Sequence, residues 1–270
     1  MVEITKKYKI GTRRFGLINW VGAWTLYKKE VLRFLIVWIQ TIFSPLISSL
    51  LFLLVLSLAI GADRGNVLGV PFITFLAPGL ISMQVIQQSF SHSSSSFMIG
   101  KIQGNIVDLL YAPLSAAEVT ISVVLAAVTR SVMIAIVSII VFSLIIDIEI
   151  KNYLLLFIFT LLSSFILGNI GIIAGLWAEK FDHMATVTNF VIIPLSFLSG
   201  TFYSIERLPE ILQMVSKANP FFYMIDGFRY SFIGKADGST FIGLIYLSVL
   251  SFVSWYVTYL LYKKGYKIKS

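Results

Sequence analysis

The stretch FLIVWIQTIFSPLISSLLFLLVLSLAIGA, residues 34–62, runs without a single Asp, Glu, Lys or Arg. A helix needs about 20 apolar residues to cross the hydrocarbon core of a bilayer, so this segment is long enough to span it. Four further charge-free stretches lie at residues 65–100, 152–178, 184–205 and 238–262, and a sixth, 119–146, is interrupted only by Arg130. Lipid leaves backbone N–H and C=O groups no water to bond, so such segments satisfy them internally as helices. The implied fold class is all-α and integral to the membrane, with six transmembrane helices.

Orientation follows from the basic residues. With a cytoplasmic amino terminus, the inside segments hold 14 Lys and Arg (Lys6, Lys7, Lys9, Arg13, Arg14, Lys28, Lys29, Arg33, Lys101, Lys180, Lys263, Lys264, Lys267 and Lys269). The outside segments hold 6 (Arg64, Lys151, Arg207, Lys217, Arg229 and Lys235). The positive-inside rule therefore places both termini in the cytoplasm. The formal net charge of +8 is mostly this topological signal, which removes the usual reason to read a basic chain as nucleic-acid binding. With no cysteine, disulfides and thiolate metal sites are excluded. The first thirty residues are polar, so no cleavable signal peptide is visible and the first span is expected to stay as an anchor.

Residues 1–30 form a tail and a helix that does not cross. From residue 11 to 31, Leu17, Trp20, Trp24, Tyr27 and Val31 recur at spacings of three and four, with Arg13, Arg14, Asn19, Lys28 and Lys29 on other faces. Such a helix lies in the interface with its cations toward anionic lipid. The remaining chain, 31–270, is the membrane domain. In its second span Pro71 and the Ala77-Pro78-Gly79 run predict a bend, and Gln84, Gln88, His92 and Ser95 form one helical stripe. Two readings stay open for that stripe, hydrogen bonding between helices and the wall of a transport path.

Between spans two and three, residues 101–111 predict an amphipathic cytosolic helix with Ile102, Ile106, Leu109 and Leu110 on one face and Asp108 elsewhere. Pro113 ends it, and Ser115-Ala-Ala-Glu118 reads as a capping box that opens span three. Arg130 either sits at mid-membrane, costing about 2.5–3.5 kcal/mol on insertion scales, or snorkels to the cytoplasmic surface. After span five, Pro209 fits the first turn of a short helix that Asn219-Pro220 stops. The following Phe221, Phe222, Tyr223, Met224, Ile225 and Phe228 are too apolar for a solvated loop, so residues 203–238 read as two short helices dipping back into the outer leaflet. Asp226 and Arg229, three apart, are expected to pair there.

Catalytic constellations are missing. The two histidines, His92 and His183, lack HExxH spacing, and no GxSxG elbow occurs. Gly234-Lys235 is not a phosphate loop, because Arg229 stands where the upstream glycine belongs and Ala236 where Ser or Thr belongs. The chain is therefore not expected to be an enzyme by itself. An ion-coupled secondary carrier remains the alternative, with an intramembrane enzyme behind it, although neither a buried acid nor an inverted repeat is evident.

Three segments carry a resemblance: LLYAPLSAAEV (109–119), FLSGTFYSIERLP (197–209) and NPFFYMIDGFRYSFIG (219–234). Their order resembles the membrane subunit of type-2 ABC exporters, most of all the small bacterial permeases of drug export and lipo-oligosaccharide (nodulation-factor) export. The likeness runs from Trp24 to Lys264. It implies two copies of this six-span chain in the bacterial plasma membrane, joined to two cytosolic ATPase subunits that carry ATP and Mg, with no cofactor on this chain. By the same likeness, residues 100–113 are the coupling helix, 11–30 the connecting helix, and 209–232 the re-entrant outer gate. The implied cargo is an amphiphile, whether drug, lipid or lipid-linked glycan.

Overall fold

The computed structural model describes residue 16 and residues 18–268. Leu17, the tail cations up to Arg14, and Lys269 lie outside them. The first helix, α1 (Trp20–Ile36), opens on Asn19, whose side chain accepts from the N–H of Gly22. It starts later than the periodicity predicted and takes in the first three residues of the first charge-free stretch. After a break at Val37, a wider π-helical turn, Ile39–Phe43, leads into α2 (Ser44–Arg64). A second π-helical turn, Thr188–Ile192, joins α7 (Phe181–Val187) to α8 (Ile193–Leu198). Each turn ends two residues before a proline, Pro45 or Pro194. Proline lacks an amide hydrogen and its ring presses on the carbonyl four residues back, so widening the preceding turn lets the helix continue.

A two-residue β-hairpin, β1 (Asn66–Val67) and β2 (Val70–Pro71), reverses the chain into α3 (Phe72–Ile102). This helix, 31 residues long, runs unbroken through Pro78. α4 (Ile106–Tyr111), α5 (Ala116–Ser143) and α6 (Tyr153–Trp177) follow, and α5 opens with the expected reciprocal bonds between Ser115 and Glu118. After α8, a 3₁₀ turn at Ile205–Arg207 precedes α9 (Glu210–Ala218), α10 (Pro220–Ile233) and α11 (Thr240–Lys263).

Among the described residues, five helical stretches are long and apolar enough to cross a bilayer: Ile39–Ala59, Ala116–Ser143, Tyr153–Trp177, Phe181–Leu198 and Thr240–Lys263. α3 is longer than any of them and carries charge only at Lys101, but its glutamines and serines lower its hydropathy. It needs no lipid-facing surface, because it is the centre of the bundle, packed on α6, α5, α10 and α2. α6 meets it along Gly171 and Gly175: a Cβ at Gly171 would lie 2.6 Å from the carbonyl oxygen of Phe90, and one at Gly175 2.8 Å from that of Ser94. In lipid, where apolar burial supplies little drive between helices, such backbone contact supplies van der Waals attraction instead. By contrast, the 18-residue windows of α7–α8 and α11 are only 11% and 17% buried, so their apolar faces are left for lipid or another chain.

Candidate functional site: a polar cleft, a helical hairpin and an exposed connection

A cleft of about 970 Å³ opens between α1, α2, α3, α5 and α8. One wall is α3, which presents Gln84, Gln87, Gln88, Ser91 and Ser95 to it. Toward Phe52, Leu80, Met83, Phe197 and Phe202 the lining is apolar; toward Gln103 it is polar and includes Arg33 and Arg130. Of the sequence-derived stripe, Gln84, Gln88 and Ser95 line this space, but His92 does not. It is fully buried behind the wall, edge-on to Phe34 with ring centroids 5.7 Å apart. A continuous helical stripe spans a wide arc, and α1 packs over the part that His92 occupies.

Behind the wall lies a charge cluster that the sequence reading did not assemble. The Glu30 carboxylate is 3% exposed and accepts from Arg33 Nε at 2.9 Å. Lys29 Nζ stands 3.9 Å and His92 Nε2 3.8 Å from its oxygens. Arg33 also donates to Ser95 Oγ at 3.2 Å and to the backbone oxygen of His92 at 2.9 Å, which fastens α1 to α3. The signal available was the Glu30–Arg33 spacing of three, just ahead of the charge-free stretch; Arg33 had been read only as an inside charge. Arg130 does not reach the surface of the protein. It is buried, its Nη2 donates to Gln88 Oε1, and its Nε has no hydrogen-bond partner among the described residues.

In α10, Phe221, Phe222, Met224, Ile225 and Phe228 are all buried, and Tyr223 is half-buried against Tyr246. The expected Asp226–Arg229 ion pair does not form. Arg229 Nη2 instead donates to the carbonyl oxygens of Gly200 at 2.6 Å and Thr201 at 3.2 Å, and its guanidinium lies 3.9 Å above the Phe75 ring. Asp226 accepts from the backbone N–H groups of Asp237 at 3.0 Å and Gly238 at 2.9 Å. A cation at a helix carboxyl end and an anion on free N–H groups are both favourable, and three residues of helix turn the two side chains toward different neighbours. Asp237 in turn accepts from Ser204 Oγ at 2.6 Å and from the Ile205 N–H at 3.0 Å.

The connection between α3 and α5 also differs from expectation. Residues 101–111 are not one helix: α3 ends at Ile102, Gly104 takes a left-handed φ of +76°, and α4 has only 6 residues. Ile106 therefore turns inward onto the Leu26, Phe97 and Val119 cluster, while Leu109 is half-buried and Asp108 exposed. Ile102, Val107, Leu110 and Tyr111 remain exposed, Tyr111 by 86%. Lys101 anchors this connection by donating to the oxygens of Leu176 at 2.8 Å and Ala178 at 2.6 Å at the end of α6, and burial holds its ammonium below the usual lysine range. Nearby, Lys267 bonds Glu179 at 3.0 Å, and that bond draws the Glu179 carboxyl below its ordinary value.

The family model described as ABC-2 type transporter matches residues 22–233. The chain belongs to this family. The matched segment of the ABC-2 chain runs from the first turn of α1 to the end of α10, so the cleft, the α3–α5 connection and the α9–α10 hairpin all fall inside it. The chain is 30% identical over 255 residues to the inner membrane transport permease YadH of Escherichia coli K12, covering 94% of this chain and 99% of that one. It is also similar to Nodulation protein J of Neorhizobium galegae, at 23% identity over 220 residues and 81% and 83% coverage, and of Sinorhizobium fredii, at 19% over 241 residues and 89% and 91% coverage.

Proposed function

We propose that this ABC-2 chain is the permease subunit of an ATP-driven exporter of the bacterial inner membrane, moving an amphiphile out of the cytoplasm or inner leaflet. In this reading α3 completes six crossings, both termini are cytoplasmic, and α9 and α10 form a re-entrant outer gate. Two copies join two cytosolic ATPase subunits, which bind ATP and Mg. The observation that carries the reading is the cleft, polar and cationic at one end and apolar at the other, since an amphiphile needs both surfaces at once. The exposed Ile102, Val107, Leu110 and Tyr111 support the ATPase contact, because an apolar face beside charged Lys101 and Asp108 at the membrane edge suits a protein partner.

The test is co-expression with a candidate ABC ATPase subunit from the same organism, purification of the complex, and ATP hydrolysis in vesicles with and without candidate amphiphiles. Stable association and stimulation by an amphiphile are the expected results. Accumulation of cargo driven by a proton or sodium gradient without ATPase would replace this reading with the carrier.

A further inference from the structure

The charges around the cleft are one-sided. Among the described residues, Arg33 and Arg130 are the only charged side chains that line it, and both are cations. Arg33 is already neutralised from behind by Glu30, whose buried carboxylate cannot reach a ligand in the cleft. Arg130 is different. Only 7% exposed, it has no ion pair among the described residues, its one side-chain hydrogen bond among them goes to the neutral amide of Gln88, and its Nε lacks a hydrogen-bond partner there. A buried guanidinium left this way is costly, and it retains donors for an anion that would relieve that cost.

Resting on the export reading, we infer that the cargo is an amphiphile with an acidic headgroup of the phosphate or carboxylate type, seated on Arg130 with Arg33 beside it. The side-chain N–H groups of Gln84 and Gln87 donate to the remaining headgroup oxygens. The acyl or polyprenyl portion runs along Leu80, Met83 and Phe52 to the Phe197–Phe202 pair, whose rings are 5.2 Å apart. A cationic amphiphile is disfavoured in the same cleft, because no carboxylate among the described residues lines it.

The experiment uses the full chain in phosphatidylcholine nanodiscs with a fluorescent alkyl phosphate as tracer. Hexadecyl phosphate is expected to displace the tracer at concentrations about tenfold or more below those of hexadecyl maltoside or hexadecyltrimethylammonium, since one charge-assisted bond carries roughly that factor. Arg130→Gln should weaken binding about tenfold, and Arg130→Lys should recover most of it. Because removing a buried arginine risks the fold, Gln87→Glu serves as a second variant: it keeps both arginines, adds an acid to a half-buried position, and should weaken the alkyl phosphate while favouring the alkylammonium. Equal displacement by the three amphiphiles, or no change in Gln87→Glu, overturns the inference. Inorganic phosphate competing as well as hexadecyl phosphate means a free-anion site, and saturation by phosphatidylglycerol in the disc means a resident lipid; either overturns the cargo assignment. Selective binding without ATP-driven transport would leave the acidic site standing and remove the export reading, so the two failures are separable.

Discussion

Arg229, on α10, donates to the carbonyl oxygen of Gly200 just past the end of α8, across 2.6 Å, and ties the α9–α10 hairpin to the preceding helix. Asp226, one turn earlier, has no part in that bond and serves the start of α11. Reversing both charges, Asp226→Arg with Arg229→Glu, is therefore expected to add the two defects rather than cancel them. Each single variant should lower stability by about 3–5 kcal/mol, because a charge is removed from its buried partners and an opposite one installed. Thermal unfolding of the purified chain in detergent checks this; recovery in the double variant would restore the direct pair.

In the α3–α5 connection a buried residue, Ile106, and an exposed one, Leu110, stand only four apart. Ile106→Asp buries a charge in the Leu26 and Val119 cluster and is expected to destabilise the chain by several kcal/mol. Leu110→Asp changes an exposed position and should leave stability within about 0.5 kcal/mol of the parent, yet abolish binding of the ATPase. Melting curves together with pull-down of the ATPase distinguish them. Normal pairing by Leu110→Asp would move the docking face elsewhere.

Cysteine scanning is clean in a chain that has none of its own. Cysteines at Gln88, Ser91 and Ser95 are expected to react with water-soluble thiol reagents, because these positions line the cleft. A cysteine at His92, fully buried against Phe34, should stay inert until the chain unfolds. Reaction at all four positions alike would mean that α1 does not cover His92.

The α3–α6 seam gives a graded test. Gly171→Ala places its methyl 2.6 Å from the Phe90 backbone oxygen, whereas the nearest atom for Gly168→Ala is the more yielding Val124 side chain at 3.2 Å. The first is expected to cost about 1–3 kcal/mol and the second clearly less, read from thermal unfolding. Equal effects would place the closest helix approach somewhere other than Gly171.

Charge-free length, proline position and capping chemistry were enough to determine the all-α membrane fold, the Ser115–Glu118 start of α5 and the helix break at Asn219-Pro220. Each of these depends on backbone groups within a few residues, or on the solvent that a whole segment must meet. The packed state of Phe221 to Phe228 was legible for the same reason: that much apolar surface cannot face water. What no local pattern contained was the destination of the polar side chains. Asp226 and Arg229 are neighbours on a helix, but their partners come from residues 237–238 and 200–201, so only the placement of α8 and α11 decides against the pair. Likewise Glu30, His92 and Arg130 sit on three different helices. Glu30 and His92 share one buried cluster because α1 folds back across α3, and Arg130 reaches the cleft because α5 brings it to Gln88. A membrane helix hides its lipid-facing side at no cost in hydropathy, so the sequence determined which segments cross, while interhelical contact alone decided which faces meet.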